Sequence, residues 1–181
     1  MIPLPSGPEH PAPELAPAPT GSGWLVLHSR PRCEKRIEEL CRQQGATAYL
    51  PLLELKRRYG ARVRVYHKPL FTGYLFALAT PAQVQYLAQN RLVANLLAVA
   101  DEARFLRQLA AVQRTLSSGT PVDVMPHVRE GKPVEVCSGP LKGLTGLVVR
   151  IKGRDRVVVN VDMIGYAMAL EVDASLLKAA E

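Results

Sequence analysis

The hydrophobic pattern from Trp24 onward predicts a succession of strands and helices. Residues 24–28 (Trp-Leu-Val-Leu-His) are a short apolar run of the kind that forms a buried strand. A helix is predicted next, because apolar residues recur at i, i+4, i+7 and i+8 while charged residues fill the other faces. This stripe consists of Cys33, Ile37, Leu40 and Cys41. Pro31 suits the first turn of the helix, and Gly45 suits its end.

Further elements complete this region and give the order β-α-β-β-β-α-β-α. One is a helix whose start predicts a capping box, with Thr80 at the N-cap, Pro81 at the first helical position and Gln83 at the third. The others are bounded by changes in hydrophobic period. They are strands over residues 47–55, 69–78 and 92–99, a hairpin over residues 56–68, and a helix over residues 105–116.

The C-terminal part has short apolar runs separated by glycines. Val134-Glu135-Val136 alternates like a strand, Ser138-Gly139-Pro140 breaks it, and β-branched residues dominate residues 157–161. Alternation over residues 164–172 predicts that one set of side chains lies inside a sheet and the other outside. Glycines at 143 and 146 let two strands approach closely. This part therefore predicts four or five short strands of a small barrel.

These patterns divide the chain into four parts. Residues 1–22 hold seven prolines and no Lys or Arg, which predicts a disordered, partly polyproline II tail. Residues 23–119 form a first domain, residues 120–130 a flexible linker with little pattern, and residues 131–181 the barrel. The predicted fold class is α+β: an α/β sandwich with an antiparallel sheet, a flexible linker and a small SH3-like β-barrel.

Positive charge is concentrated in the middle of the chain. The whole sequence has a net charge of +7. Residues 24–119 contain 15 Lys and Arg against 6 Asp and Glu, whereas residues 120–181 contain 8 of each. This asymmetry favours a polyanion, with nucleic acid first, as the partner of the middle region. The neutral barrel favours a protein partner.

The predicted hairpin carries six cations and no acid between Lys56 and Lys68, and its alternation predicts one basic face. A merely solvated hairpin remains the alternative, although solvated hairpins usually mix charge signs. The first helix adds cations on its exposed side. The candidate nucleic-acid-binding residues are Arg30, Arg32, Lys35, Arg57, Arg58, Arg62, Arg64, His67 and Lys68.

Catalytic and metal motifs are missing from the sequence, so we expect no enzyme, cofactor or metal site. The four histidines are scattered and no C-x-x-C pair occurs. Cys33 and Cys41 lie about 12 Å apart on one predicted helix, beyond disulfide reach. Free thiols predict a reducing, cytoplasmic compartment. No apolar run reaches the roughly 20 residues of a membrane span.

The barrel region resembles the KOW motif in its NusG form. The residues that carry the resemblance are Gly131, Val136, Gly139-Pro140-Leu141, Gly143, Gly146 and Ile164-Gly165. The first region is similar to the N-terminal domain of the same family. That similarity rests on the opening strand at Trp24, the basic helix after it, and the segment Leu70-Phe71-Thr72-Gly73-Tyr74-Leu75-Phe76. Thr72 stands where the family usually has proline, and the segment after Leu97 is shortened.

The resemblance implies a transcription elongation or antitermination factor whose first domain binds the clamp helices of RNA polymerase. The implied polymerase-binding residues are Trp24, Leu70, Phe71, Tyr74 and Phe76. The basic residues would contact the displaced non-template DNA, or nascent RNA, through phosphates more than bases. The alternative is an RNA-binding or ribosome-associated KOW protein, which the neutral charge of the barrel disfavours.

The barrel is expected to recruit a second protein, such as a small-subunit ribosomal protein or a termination factor. The KOW and partner residues are Gly131, Gly139, Pro140, Leu141, Gly143, Gly146, Ile164 and Tyr166. The proline-rich start and the departures at Thr72 and after Leu97 favour a specialised paralogue over the housekeeping factor. Paralogues of the RfaH kind hold this region as a helical hairpin, but β-branched residues and glycines predict a constitutive β-barrel here.

Overall fold

The computed structural model describes residues 12–60 and 62–180. Residues 18–98 belong to one compact unit and residues 99–180 to another, whereas the sequence pattern predicts a division after residue 119. Residues 1–11 of the predicted disordered tail lie outside the described residues, and residues 12–22 contain no helix or strand.

The first unit contains a four-stranded antiparallel sheet in the order β2-β5-β1-β6 and a separate two-stranded ribbon, β3-β4. Two helices, α1 and α2, belong to it. The elements are β1 (Gly23–Ser29), α1 (Glu34–Gln43), β2 (Thr47–Tyr49), β3 (Leu52–Tyr59), β4 (Arg62–Pro69), β5 (Tyr74–Ala79), α2 (Pro81–Ala88) and β6 (Val93–Ala98). The capping box at Thr80 is confirmed.

Three of the element boundaries that differ from the predicted ones have a local cause in the backbone. The strand predicted over residues 47–55 is interrupted between β2 and β3, where Pro51 has no N–H to donate to a ladder. The strand predicted over residues 69–78 begins only at Tyr74, because Gly73 adopts a φ of 87° and closes a turn. Pro31 lies in a turn before α1, not within it, and Cys33 is the N-cap.

The sheet of the first unit has two apolar faces. Leu25 and Leu27 of β1 lie on the face that packs with α1 and α2, in a core that includes Ile37, Cys41 and Leu87. The alternate residues lie on the opposite face, which we call the aromatic face. The cross-strand register puts together on it Trp24, Val26, His28, Tyr49, Tyr74 and Phe76.

The second unit contains helix α3 (Glu102–Ser117) and a six-stranded sheet in the order β12-β8-β9-β10-β11-β7. Its strands are β7 (Val122–Pro126), β8 (Lys132–Val136), β9 (Thr145–Ile151), β10 (Arg154–Val161), β11 (Tyr166–Leu170) and β12 (Leu177–Ala179). The predicted β-barrel is confirmed, and residues 134–172 contain strands in the intact chain where a helical hairpin was the alternative.

The predicted flexible linker is not an unstructured segment. Five of its residues form β7, which pairs with β11 from Val122↔Leu170 to Tyr166↔Pro126. Beyond β7, the Asn160 side chain accepts a hydrogen bond from the Val128 N–H and donates one to the Val128 carbonyl. The sequence pattern did not predict this strand because it contains Pro126. Proline opposes strand formation except at an edge, and β7 is an edge strand.

Close packing in the barrel depends on glycine and alanine. A Cβ on Gly146 would lie 2.7 Å from the carbonyl oxygen of Val158, so the predicted close approach of two strands is confirmed. The alternation predicted for β11 is correct, but its set of small side chains does not face solvent. Ala167 and Ala169 are buried against Val158, in a core separate from the Met168 side, so both faces of β11 are covered.

Candidate functional site

Four strands have an end at the same edge of the first unit's sheet. β1 ends there at Ser29, β2 ends there, and β5 and β6 begin there. Both ends of the ribbon β3-β4 connect to the sheet at this edge, where the Leu70 N–H donates a hydrogen bond to the Pro51 carbonyl at 2.8 Å. We call this the loop end, defined as residues 29–35, 50–52, 69–74 and 90–93. The topology thus gathers segments from across the sequence.

A buried carboxylate fixes the turn that precedes Tyr74. Glu34 is only 5% exposed, and its Oε1 accepts a hydrogen bond from the Gly73 N–H at 2.8 Å. The Ser29 N–H donates to the Gly73 carbonyl at 2.8 Å. Glu34 lies in the first turn of α1, where the helix dipole favours a negative charge. Sequence reasoning missed Glu34, since it is one of three glutamates in a strongly charged helix.

The five predicted polymerase-binding residues differ in exposure. Trp24, Leu70, Phe71 and Phe76 are all buried, each 4% exposed or less. Tyr74 is half-buried, and its ring stacks on His28 with centroids 4.8 Å apart. Trp24 pairs with Leu78, at the far end of β1 from the loop end. The polymerase contact stays a prediction, and Tyr74 is the member that offers surface.

Burial also affects Tyr49, which shares the aromatic face with Phe76 at a ring distance of 6.4 Å. Removal from water raises the pKa of the Tyr49 hydroxyl far above its ordinary value. Burial, with a smaller contribution from Glu38, raises the pKa of the Cys41 thiol to about 12. Cys41 is therefore a core residue and not a reactive thiol.

Cations predicted to bind nucleic acid lie at the loop end and on the ribbon. The Arg30 guanidinium Nε donates to the carbonyl oxygen of Arg91 at 2.9 Å, which ties the turn before α1 to the start of β6. Arg32 is exposed and adopts a φ of 60°, and Lys35 is exposed on α1. Arg30, Arg32 and Lys35 therefore share the loop end with Tyr74.

The ribbon has cations on both faces, whereas the sequence pattern predicted one basic face. Its register sets Arg57 opposite Arg64 and Arg58 opposite Val63, and paired residues share a face. The tyrosine face includes Arg57, Arg62, Arg64, Tyr66 and Lys68, together with Leu53 and Leu55, which lie opposite Lys68 and Tyr66. The valine face includes Leu52, Glu54, Lys56, Arg58, Val63, Val65 and His67. Arg58 and His67 thus lie away from the other predicted contacts.

The KOW residues lie mainly in two loops of the second unit. Gly139, Pro140 and Gly143 are exposed between β8 and β9, and Tyr166 is 38% exposed at the start of β11. Gly139 and Gly143 each have a φ of 80°, which favours glycine. Leu141 and Ile164 are 6% exposed, so these two predicted partner residues are core residues here and Tyr166 offers the accessible surface.

Helix α3 is bound to the barrel through Asp162, which follows β10. Asp162 Oδ2 accepts from Gln108 Nε2 at 2.6 Å and pairs with Arg104 Nε at 2.7 Å. Asp162 Oδ1 lies 2.7 Å from His127 Nε2. Farther along the helix, Arg114 donates to the Lys142 carbonyl at 2.8 Å. These contacts explain why α3 belongs to the second unit, and one sequence alone gives no signal for them.

Asp162 makes the α3 contact sensitive to acid. Partial burial raises the pKa of this carboxyl, but the hydrogen bonds from Gln108 and His127 and the charge of Arg104 outweigh burial, and the pKa is lowered. A lowered folded-state pKa means that the stabilisation is complete above the unfolded value of about 3.9 and is lost as pH falls through the folded value.

We therefore expect Asp162→Asn to reduce the hydrogen-exchange protection of α3 amides at neutral pH. The difference from the wild type should persist down to about pH 5 and shrink only in stronger acid, as the wild-type carboxyl is protonated. Asp173→Asn is the control, because Asp173 accepts its hydrogen bonds from the N–H and the hydroxyl of Ser175. Equal α3 protection in the wild type and Asp162→Asn at neutral pH would contradict the role of Asp162.

Within residues 12–60 and 62–180, no group of three or more His, Cys, Asp or Glu side chains is arranged to hold a metal ion. Among the helices that the structure describes, none has the length and apolar character needed to cross a membrane.

Comparison with known proteins identifies the class. A family model described as "Transcription termination factor nusG" matches residues 22–131, more than half of the chain. The solved structure "Domain interaction in Thermotoga maritima NusG" is similar with a TM-score of 0.50 and 18% identity, over 88% of this chain and 98% of that one. "Crystal Structure of MjSpt4:Spt5 complex conformation B" gives 0.25 and 15%, over 87% and 97%, too low a score for any argument. No curated protein matches.

An α/β unit followed by a small barrel, together with the family match, defines a transcription elongation factor. The chain belongs to the NusG family.

Proposed function

We propose that this protein binds the clamp helices of RNA polymerase through its first unit and modulates pausing or termination, while the barrel recruits a second protein. It acts by binding and not by catalysis. The observation that carries the proposal is the loop end, where the Phe71–Tyr74 turn, held by Glu34, lies beside the cations Arg30, Arg32 and Lys35.

An aromatic side chain beside cations suits a contact at the upstream edge of the transcription bubble. Tyr74 supplies the amphipathic aromatic surface that is enriched at binding hot spots. Phe76 and Tyr49, on the same face of the sheet as Tyr74, are buried with their ring centroids 6.4 Å apart, and such close packing limits the movement of the sheet. A rigid sheet keeps the Tyr74 contact pre-organised, which lowers the entropy lost on binding.

The cations of the loop end and of the ribbon support a nucleic-acid contact next to the polymerase contact. Lys and Arg bind phosphates without reading sequence, so an elongation factor can follow the polymerase across many genes. The ligand that we propose is the non-template DNA strand. The nascent RNA is the second possibility that the sequence left open.

The barrel would contact its protein partner through its exposed loop residues. Pro140 and Tyr166 offer apolar surface in a barrel region, residues 120–181, whose formal charges balance, and low net charge suits a protein better than a nucleic acid. We propose a small-subunit ribosomal protein or a termination factor as this partner. The cytoplasmic location expected from the free cysteines stays a prediction.

Transcription in vitro tests the proposal. Purified polymerase is halted and released on a template with a defined pause, and the pause lifetime is measured with and without the protein. We expect the protein to change the lifetime in a saturable way. The variant Tyr86→Ala, whose side chain is 44% exposed on α2, should act like the wild type. An unchanged lifetime at saturating protein would contradict the proposed function.

A further inference from the structure

The two faces of the ribbon β3-β4 differ in the kind of ligand they suit. On the tyrosine face, Arg57 lies directly opposite Arg64. Like charges in directly opposed cross-strand positions destabilise a sheet. Residues 52–69 contain one acid, Glu54, and its carboxylate pairs with Lys56 on the valine face, at 3.2 Å. The tyrosine face therefore collects positive charge with no acid of the ribbon to balance it.

An aromatic ring lies within this positive charge. Tyr66 is 37% exposed, and the Arg57 guanidinium lies 5.5 Å from the centroid of its ring. Arg62, Arg64, Tyr66 and Lys68 follow one another at every second position of β4, so all four side chains project from the same face. Cations in line with an exposed ring form the combination that binds single-stranded nucleic acid, with phosphates on the cations and a base stacked on the ring.

The valine face lacks this combination. Its exposed side chains include Val63 and Val65, 60% and 39% exposed. Valine has no aromatic ring on which a base could stack, and Arg58 Nε is bonded to the Gly60 carbonyl at 3.1 Å. The valine face nevertheless carries two cations, Lys56 and Arg58, which makes it a charge-matched control on the same ribbon.

We propose that the tyrosine face is a single-stranded DNA site, in which Tyr66 stacks on a base while Arg62, Arg64 and Lys68 bind phosphates. This inference rests on the proposed function and deepens it, because it assigns the nucleic-acid contact to one face and to a residue, Tyr66, that the charge pattern does not indicate. Contacts to phosphates and base faces need no 2′-hydroxyl, so DNA satisfies the site fully.

Two double variants of the full chain, which remove the same charge from opposite faces of the ribbon, test whether the tyrosine face binds DNA. The probe is a fluorescein-labelled single-stranded DNA of mixed sequence and about 12 nucleotides, within the site sizes of such proteins. Its anisotropy is measured from about 50 to 200 mM salt. Arg62→Ser with Arg64→Ser should weaken binding and flatten the salt slope by about 1.4, twice the 0.7 expected per phosphate contact. Lys56→Ser with Arg58→Ser, which removes the same charge, should change the slope by less than half as much.

Substitution of Tyr66 tests the stacking. Tyr66→Leu should weaken binding at least about fivefold, the low end for one stacked base, with the salt slope unchanged because no charge is removed. Tyr66→Phe keeps the ring and its contact with Arg57, so it should bind like the wild type. Equal losses in the Leu and Phe variants, or an unchanged affinity in Tyr66→Leu, would overturn the stacking role.

Three further outcomes would also decide whether the tyrosine face is a DNA site. Equal slopes in the two double variants, tighter binding to RNA of the same sequence, or no binding of the wild type to the DNA at low salt would each overturn the assignment. The pause assay separates this failure from failure of the proposed function. If the protein still changes the pause lifetime, the polymerase contact stands and only the DNA site is wrong.

Discussion

Truncation of Phe76 to alanine is expected to destabilise the protein by about 3–5 kcal/mol, the usual cost for a fully buried phenylalanine. Phe76 is 0% exposed and lies on the central strand β5, between β1 and β2. Val26 and Tyr49 are its cross-strand neighbours. The loss of the ring would leave a cavity, and the surroundings of such a cavity relax only in part. Urea unfolding of the intact chain, followed by circular dichroism, measures the change.

The control for this substitution is Tyr86→Ala. Because Tyr86 is exposed on α2, its removal should change the free energy of unfolding by about 0.5 kcal/mol or less. If Phe76→Ala left stability unchanged and abolished polymerase binding instead, Phe76 would be a contact residue, as the family resemblance implies, and not a packing residue.

Truncation of Tyr74 to alanine is expected to weaken binding to RNA polymerase about thirtyfold, which corresponds to the roughly 2 kcal/mol of an interface hot spot. Tyr74 is half-buried and stacks on His28, so truncation should remove a contact surface while the sheet hydrogen bonds of β5 stay. Affinity for purified core polymerase, measured by a direct binding assay, tests this expectation.

The stability of the same variant serves as the control, since a folded protein with weakened binding separates contact from packing. We expect Tyr74→Ala to unfold at a urea concentration near that of the wild type, unlike Phe76→Ala. A folded Tyr74→Ala protein with wild-type affinity would move the polymerase contact away from the loop end.

Most of the order of strands and helices could be predicted from the sequence because local periods are strong in this chain, although four strands and not three lie between α1 and α2. The helix stripe of α1 and the capping box at Thr80 are local signals, each contained within one turn or two. The strands of the barrel were predictable for the same reason, since β-branched runs and glycines at 143 and 146 constrain the backbone directly. Little long-range information is needed for such elements.

Features that depend on register could not be predicted. Alternation predicts that the ribbon has two faces, but only the pairing of Arg57 with Arg64 shows which cations of the two strands share a face. A shift of one residue would exchange the two sets. Tyr66 became a candidate once its exposure and its contact with Arg57 were known, and the register places Arg58 on the opposite face.

Contacts between residues that are far apart in the sequence could not be predicted either. Glu34 and Gly73 are 39 positions apart, and Gln108 and Asp162 are 54 apart, so no local period indicates either pair. The burial of Trp24 and Leu141 illustrates the same limit. A motif identifies which residues matter to a family, but whether a side chain faces solvent depends on the packing of the whole unit.

Binding of the intact protein to purified core RNA polymerase and, in parallel, to ribosomal subunits tests the central claim most directly, because it separates the elongation factor from the ribosome-associated alternative. Hydrogen exchange of the bound protein reports the contact surface in the same experiment. The expected result is saturable binding to polymerase with new protection at residues 70–74 and none at Tyr86 on α2. Binding to ribosomal subunits without binding to polymerase would contradict the claim.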